Sequence, residues 1–302
     1  MTGWALGRVD AGGSRLTPDP GSAGRGPSSP GVLRAGTSGF AYPAWRGTFY
    51  PDDLRQEAFL GYYASQFSAC ELNGTFYARP SPRSIARWRG ATPPDFRFIV
   101  KAQRGGALRA LYATPAESVA WLTEPLGGFG ERLGAVLFRV PREARRRGPE
   151  DDARLSAILS AWPSTIPLVV ELHDRSWQID ETYAALRSVG ASLCRTDVDG
   201  DDDPLPIRLT GSFVYLRLRR ETYTEEDLAA WAARIAPFVL AGSDAWAFFR
   251  HDETGASTQH ARRLVELTTV ELGRQAADGG TAGGVGGDSR GRATEPVVPP
   301  RT

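Results

Sequence analysis

Short apolar runs alternate along the chain with longer segments in which apolar residues recur every three or four positions. The short runs are continuously apolar, which is typical of strands buried on both faces of a parallel sheet. They predict eight strands, at residues 33–40, 69–76, 96–102, 133–140, 167–173, 191–197, 212–219 and 245–251. Eight strand–helix alternations favour a single (β/α)8 TIM-type barrel over an open doubly wound sheet.

The longer segments have the 3.6-residue period of helices that pack one face on a sheet. Two stripes show it: Leu60, Tyr63, Ala64 and Phe67 after the first strand, and Leu228, Trp231, Ile235 and Phe238 after the seventh. Thr224 with Asp227 predicts a capping box, and Thr114 before Pro115 predicts a helix start. No G-x-G-x-x-G fingerprint follows the first strand, and no cofactor is predicted.

Both ends of the chain are rich in glycine and proline, and they contain too little apolar surface to offset the entropy of ordering. We therefore predict disordered tails at residues 1–32 and 273–302 around one barrel domain at 33–272. No apolar run reaches the roughly 18 residues of a membrane span, and the N-terminus lacks the pattern of a secretory signal. A net charge of +1 gives no general attraction to nucleic acid or membranes. We predict a cytoplasmic protein that does not bind membranes; its oligomeric state is not predicted.

Charged residues occur where the predicted strands end, which is where a TIM-type barrel carries its chemistry. Glu71, Lys101, Glu171, Arg195 and Arg217 alternate in sign around this ring. Burial of an ionised group is costly unless the group is paired. Two interpretations follow: a polar pocket that takes a ligand, or a closed ion-pair network that plugs the mouth of the barrel.

Lys101 is the only lysine and Asn73 the only asparagine in the chain. An ammonium attacks carbonyl groups and changes its pKa on burial, which a guanidinium does not do readily. Lys101 is therefore a candidate nucleophile or electrophilic donor, or a lysine that reaches one carboxylate where an arginine would clash. Asn73 would orient a substrate hydroxyl or carbonyl, or serve as a turn residue at positive φ before Gly74.

The remaining candidate residues complete a site for a small anion. Glu71 or Glu171 would transfer protons, and the predicted ligand-binding arginines are Arg195, Arg217 and Arg219. The aromatic side chains expected to wall the pocket and stack on a ring are Tyr42, Trp45, Tyr77 and Trp177. The acidic segment at 197–204 is a candidate divalent-metal loop, but it lacks the sixth-position glycine and Arg208 stands where a calcium loop needs glutamate. We assign no metal ligands.

The sequence resembles the YecE-like proteins, domain-of-unknown-function family 72. The resemblance lies in "GTSGFAYPAWRGTFYP", "YASQFSACELNGTFYARPSPRSIARWRGATPPDFRFIVKA", "RLGAVLFRVP", "VVELHDRSW" and "YLRLRRETYTEEDLAAWAARI", within about residues 34 to 268. It implies a TIM-type barrel with no settled reaction. It supports the functional positions Tyr42, Trp45, Glu71, Asn73, Tyr77, Lys101, Glu171, Trp177, Tyr215 and Arg217.

The chain departs from that family's pattern mainly at histidines. Thr-His after the strand-three lysine is replaced by "QRGGALRAL", and Arg-His after the strand-five glutamate by His173 and Asp174. Arg219 and Arg220 stand in place of His-Gly after strand seven, and the asparagine of strand eight is replaced in "FFRHD". These changes argue against imidazole acid–base catalysis, and the added arginines favour an anionic ligand.

Three classes of function remain. The leading hypothesis is an enzyme, a hydrolase, isomerase or lyase, that acts on a small anionic or sugar- or phosphate-containing metabolite at the barrel mouth. The alternative is a binding protein without catalysis for phosphorylated ligands or nucleic acid, because arginines interleaved with aromatic residues contact phosphates and stack on bases. Nothing in the sequence favours a purely structural role.

Overall fold

The computed structural model describes residues 29–200 and 205–281. Eight parallel strands form one sheet in the order β1-β8-β7-β6-β5-β4-β3-β2. They are β1 Leu33–Thr37, β2 Ala69–Leu72, β3 Arg97–Lys101, β4 Leu133–Arg139, β5 Leu168–Glu171, β6 Ser192–Asp197, β7 Phe213–Leu218 and β8 Asp244–Phe249. This nearly closed barrel confirms the predicted fold.

Helices surround the strands. They are α1 Phe59–Gln66, α2 Pro82–Gly90, α3 Arg104–Tyr112, α4 Pro115–Thr123, α5 Pro149–Ala161, α6 Asp180–Ser188, α7 Glu225–Leu240 and α8 Ala256–Thr281. The stripe predicted on α1 is buried, and so are Leu228, Trp231 and Ile235 of α7. The capping box of Thr224 and Asp227 is present. Among the described helices, none has the length and hydropathy needed to cross a membrane.

The helix start predicted at Thr114 is in place, with Pro115 at the first helical position. The Thr114 hydroxyl lies 3.1 Å from the Ser118 hydroxyl, and it accepts no hydrogen bond from the helix backbone. Thr114 is therefore the N-cap residue as predicted, but its hydroxyl contacts the Ser118 side chain and not the helix backbone.

Side chains that point into the barrel form two layers. The lower layer is apolar and consists of Ala69, Ile99, Ala135, Leu137, Val169, Cys194, Tyr215, Trp246 and Phe248. The strands β4 and β8 each contribute two of these residues. Since side chains alternate along a strand, the residue two positions after the last of them on each strand points inward in an upper layer. Most residues of this upper layer are charged, and they form the floor of the barrel mouth.

The seam between β1 and β2 is the place where the ladder is weakest. A single bridge joins Ser38 to Glu71, and the Tyr63 hydroxyl from α1 fills the gap below it. This hydroxyl lies 2.8 Å from the Thr37 amide and 3.3 Å from the Ala69 carbonyl oxygen. A Cβ at Gly36 would lie 2.5 Å from the same carbonyl oxygen, so glycine permits the close approach of the two strands.

The folded region is longer than predicted at both ends. The amide of Gly31 donates to the carbonyl of Val239, so ordered contacts begin before residue 33. Helix α8 continues past the predicted boundary at residue 272 and ends at Thr281. Helix-spaced pairs support this extension, since Glu271 contacts both Arg274 and Gln275. The rest of the predicted tails, residues 1–28 and 282–302, and residues 201–204 of the acidic loop lie outside the described residues.

Candidate functional site

Five charged side chains form the upper layer at the carboxyl ends of the strands. Each stands two residues after an inward apolar residue, and together they are Glu71 of β2, Lys101 of β3, Arg139 of β4, Glu171 of β5 and Arg217 of β7. Glu71, Lys101, Glu171 and Arg217 are buried. Such a layer folds only because its members neutralise one another.

Arg217 lies at the centre of this layer and joins the two carboxylates. Its Nε and Nη2 donate to Glu71 Oε1 and Oε2 at 3.0 and 3.2 Å. Its Nη1 donates to both carboxylate oxygens of Glu171, at 2.8 and 3.0 Å. Burial opposes the charge on Arg217, but the two glutamates outweigh it and raise its pKa well above the ordinary value. Arg217 was predicted to hold the ligand; in the structure its Nε, Nη1 and Nη2 atoms all donate to the two glutamates.

Glu71 accepts hydrogen bonds from four different side chains. Besides Arg217, the Ser38 hydroxyl lies 2.5 Å away, the Tyr215 hydroxyl 2.7 Å and the Lys101 ammonium 2.9 Å. Burial raises the pKa of Glu71, but Arg217 and then Lys101 outweigh it and hold the pKa well below its usual range. Glu71 therefore stays ionised, and Tyr215 supports it from below.

Glu171 is saturated in the same way. In addition to Arg217, it accepts from the Thr196 hydroxyl at 2.8 Å and from Arg139 Nε, and His173 Nε2 lies 3.5 Å from it. Burial raises the pKa of Glu171, whereas Arg217, His173 and Arg139 hold it well below the ordinary value. Arg139 also lies over the ring of Phe76, with 5.2 Å to the centroid.

Lys101 is held between two acceptors. Its Nζ lies 2.9 Å from Glu71 Oε2 and donates to Asn73 Oδ1. Burial lowers the pKa of Lys101 to about 8; Glu71 raises it in part and Arg217 lowers it further. These are two acceptors for three donors within the described residues, so the ammonium has a further N–H to offer.

Asn73 links Lys101 to the upper rim of the mouth. Its Nδ2 lies 3.0 Å from the Ser38 carbonyl oxygen, 2.8 Å from the Tyr42 hydroxyl and 3.4 Å from His251 Nδ1. The interpretation of Asn73 as a turn residue at positive φ was wrong, because among the described residues only glycines have positive φ. Burial is the main cause that raises the pKa of Tyr42 to about 12, so this hydroxyl stays protonated.

Arg219 lies at the upper side of the mouth. Its Nη1 lies 3.5 Å from the Ser38 hydroxyl, and no described carboxylate forms an ion pair with it. Burial, followed by Arg217, lowers its pKa. Its side chain is half-buried.

Arg195 points away from the ring, contrary to the prediction. Cys194 faces the barrel interior and Thr196 bonds Glu171, so the alternation of β6 turns Arg195 to the outer face. It lines a cavity of about 410 Å³ near the ends of β5 and β6, together with residues such as Arg142 and Arg208.

Two of the predicted aromatic walls belong to the core. Trp45 is 0% exposed and its indole N–H donates to the Asp252 carbonyl at 2.7 Å; Trp177 is 2% exposed and donates to the Ala144 carbonyl at 3.0 Å. Their rings are covered by protein, so neither stacks on a ligand in this conformation. Tyr77, by contrast, is 77% exposed.

Two residues of the site, Arg139 and His251, end predicted strands but were not among the predicted site residues. The alternation of side chains along β4 would have identified Arg139, because Leu137 two residues earlier points into the barrel. His251 follows the end of β8 and stacks on Tyr42, with ring centroids 4.8 Å apart and planes 4° apart. No group of three or more His, Cys, Asp or Glu side chains within the described ranges is placed to hold a metal.

Comparison with known proteins gives one consistent family. The family model described as "Protein of unknown function DUF72" matches residues 34–280. UPF0759 protein YunF of Bacillus subtilis is 22% identical over 264 residues, which cover 74% of this chain and 91% of that protein. UPF0759 protein YecE of Escherichia coli K12 is 28% identical over 110 residues, 36% of this chain and 39% of that protein.

Solved structures agree with the fold. A DUF72 family protein from Thermotoga maritima superposes with a TM-score of 0.65 at 26% identity, covering 79% of this chain and 98% of that one. A second DUF72 family protein, from Enterococcus faecalis, gives a TM-score of 0.63 at 18% identity, with 79% and 98% coverage. At 18% identity, the similarity to the Enterococcus faecalis protein supports the fold alone.

Proposed function

We propose a function for this chain, which belongs to the DUF72 family of proteins of unknown function, from the charge balance at the mouth of its barrel. The protein binds a small anionic metabolite there, through Arg219 and Lys101, and acts on it as an enzyme. A sugar phosphate or another phosphorylated or carboxylated metabolite has the required chemistry.

The charge balance carries the proposal. Among the described residues, the contact network at the mouth contains four cationic side chains, Lys101, Arg139, Arg217 and Arg219, against the two carboxylates Glu71 and Glu171. The excess of positive charge lies on its upper side, where Arg219 has no acidic partner in the part of the chain that the structure describes. Desolvated charge of one sign is costly unless a counterion offsets it, and an anionic ligand supplies that counterion.

The geometry limits the chemistry that this site would perform. Both glutamates are ionised, buried and saturated with donors, so we assign them to hold Arg217 and Lys101 in place instead of transferring protons. Glycoside hydrolysis by a carboxylate pair needs one carboxylic acid and one free carboxylate, and this pair supplies neither. The reactions that fit best are those in which negative charge develops on the substrate beside Lys101 and Arg219.

Lys101 has two chemical roles open to it. As an ammonium it stabilises a developing oxyanion, and as a neutral amine it attacks a carbonyl carbon. Its pKa near 8 gives a small but usable amine fraction at neutral pH. Isomerisation and lyase chemistry on an anionic carbonyl compound use either role.

Nucleic acid has less support as the ligand. The stacking groove considered from the sequence needed Trp45 and Trp177 at the surface, and both are buried. Tyr77 is the candidate aromatic left exposed, and Arg217 is 1% exposed. Affinity for an oligonucleotide would in any case fall steeply with added salt, which gives a simple discrimination.

The test is thermal unfolding of the full chain with inorganic phosphate, sugar phosphates, nucleotides, carboxylic acids and short oligonucleotides. A ligand at about a hundred times its Kd stabilises the protein by about 2.7 kcal/mol. Arg219→Gln and Lys101→Met should lose the response. Arg87→Gln, an exposed arginine of α2, removes the same charge away from the mouth and should keep it.

Two results would overturn the proposal. One is a wild-type protein that no anion stabilises; the other is a response that both mouth variants retain. Incubation of the bound ligand with stoichiometric protein, followed by NMR of the ligand, then separates catalysis from binding. An unchanged ligand would mean a binding protein.

A further inference from the structure

We propose that His251 offers its Nε2–H to the ligand at the mouth as a neutral hydrogen-bond donor, and that Asn73 holds the ring in this tautomer. The role toward a ligand rests on the proposed function, whereas the tautomer follows from the hydrogen-bond network alone. His251 would supply the site with an imidazole from the segment after β8.

The orientation of the Asn73 amide is fixed by two partners that each have one hydrogen-bonding role. The Lys101 ammonium only donates, so the atom it meets is the amide oxygen Oδ1. The Ser38 carbonyl oxygen only accepts, so the atom 3.0 Å from it is Nδ2. Both partners require the same assignment of the amide oxygen and nitrogen. The donor Nδ2 therefore points toward His251.

This orientation determines the tautomer of His251. Its Nδ1 is the ring atom that faces Asn73 Nδ2, at 3.4 Å. Nδ2 has two N–H groups for three acceptors, so His251 Nδ1 shares an N–H with the nearer Ser38 and Tyr42 oxygens. An amide nitrogen accepts no hydrogen bond, so a proton on Nδ1 would have no acceptor there, and the proton of the neutral ring lies on Nε2. Asn73 is thus a positioning residue, and the Nε2–H is the group directed away from it.

The ring is also fixed in its plane. It stacks on Tyr42 with centroids 4.8 Å apart and an interplanar angle of 4°. The Tyr42 hydroxyl is itself fixed, because it donates to the Ser38 carbonyl at 2.8 Å and accepts from Asn73. His251 therefore has one face packed and one nitrogen occupied, while the residue as a whole remains exposed.

The charges that face His251 keep it neutral. Burial and then Arg219, Lys101 and Arg250 lower its pKa, and Asp252 raises it in part. These groups come from the segment after β7, from β3 and from the segment after β8, while Tyr42 and Asn73 face the ring as neutral groups. An uncharged ring that donates through Nε2 complements the cations nearby, because it adds a directional donor without further repulsion.

The three donors at the mouth have distinct origins: Lys101 at the end of β3, Arg219 after β7 and His251 after β8. Preorganised donors of this kind stabilise charge that develops on a bound oxygen. A phosphoryl or carboxylate oxygen, or an enolate, has the acceptor capacity to use them. His251 is thereby the third ligand-binding residue of the proposed site.

The experiment uses the full chain labelled with ¹⁵N-histidine, since the sequence contains three histidines. Long-range ¹H–¹⁵N correlation spectra distinguish the two tautomers and imidazolium, and His251→Gln assigns the signal. We expect the Nε2–H tautomer in the wild type at neutral pH. Titration with inorganic phosphate should perturb Nε2 and leave Nδ1 nearly unchanged.

Asn73→Asp tests the positioning role, because it replaces the donor that faces Nδ1 with an acceptor. We expect the His251 proton to move to Nδ1 and the pKa of His251 to rise. Tyr42→Phe is the matched control: it keeps the stacked ring and the Asn73 amide, so the tautomer should not change.

The outcomes are separable from those of the proposed function. Nδ1–H or imidazolium in the wild type at neutral pH would overturn the inference, and this measurement needs no ligand and no variant that must fold. Phosphate binding that depends on Arg219 but leaves Nε2 unperturbed would also overturn it. The Nε2–H tautomer without any phosphate response would support the network and count against the proposed function.

Discussion

Arg217 and Glu71 meet through two parallel hydrogen bonds, Nε to Oε1 at 3.0 Å and Nη2 to Oε2 at 3.2 Å, on strands 146 residues apart in sequence. The same guanidinium also contacts both oxygens of Glu171. One arginine therefore bridges two buried carboxylates, and the charged layer around it depends on this arrangement.

Arg217→Met should destabilise the protein strongly, because it leaves two buried carboxylates without their main counterion. Loss of one partner of a buried ion pair costs about 3–5 kcal/mol, measured here as the free energy of unfolding in urea. Arg263→Met is the control: Arg263 pairs with Glu225 at the surface, and an exposed pair contributes about 0–1 kcal/mol. Equal effects of the two substitutions would contradict the central role of Arg217.

Lys101 should titrate near pH 8 instead of its ordinary 10.5. Because its folded pKa is lowered, the unfolded chain binds more protons between these values, so this group makes stability rise as the pH rises from about 8 to 10.5. ¹³Cε-labelled lysine gives a single side-chain NMR signal, since the chain has one lysine. Arg219→Gln removes a group that lowers the pKa and should move the midpoint upward. A wild-type midpoint near 10.5 would show that burial of the amine is not maintained in solution.

Tyr63→Phe should weaken the seam between β1 and β2. The substitution leaves the buried Thr37 amide without the hydroxyl 2.8 Å away, and an unsatisfied buried donor costs about 1–3 kcal/mol. Faster hydrogen exchange of the Thr37 amide would locate the loss. Tyr62→Phe serves as control, because the Tyr62 hydroxyl bonds no described residue; if both variants lose equal stability, the hydroxyl bridge is unimportant.

Trp45 and Tyr77 should respond in opposite ways to substitution by alanine. Trp45 is fully buried, so Trp45→Ala removes core packing at about 3–5 kcal/mol. Tyr77 is 77% exposed, and Tyr77→Ala should change stability by no more than about 0.5 kcal/mol. Thermal or urea unfolding of both variants checks this. A large loss at Tyr77 and a small one at Trp45 would reverse the assignment of core and surface.

The barrel was predictable because its signal is distributed over the whole chain. Each strand repeats the same continuous apolar run, and each helix repeats the 3.6-residue period, so an error at one boundary does not change the fold. The predicted strands extended past the observed ends, for example to residue 76 where β2 ends at Leu72. The polar residues that follow these ends leave the ladder to form the mouth.

The site was predictable in part. Glu71, Lys101, Glu171 and Arg217 meet as the alternation of charge indicated. Arg195 was expected in the ring because it lies near the end of a predicted strand, but side chains alternate along a strand. It neighbours Thr196, which points inward, and therefore faces outward. The burial of Trp45 and Trp177 depends on how the segments after the strands pack against one another, as in their bonds to Asp252 and Ala144, and loop conformation leaves no periodic signal in a sequence.

The seam between β1 and β2 makes the site part of the closure of the barrel. The side chains of Glu71 and Asn73, on one side, bond Ser38 and Tyr42 on the other, where backbone pairing is nearly absent. His173 and Arg219 follow the ends of β5 and β7, away from this seam. A substitution at either position leaves the fastening of the two edges intact, whereas one at Glu71 or Asn73 alters the site and the mechanical integrity of the barrel together.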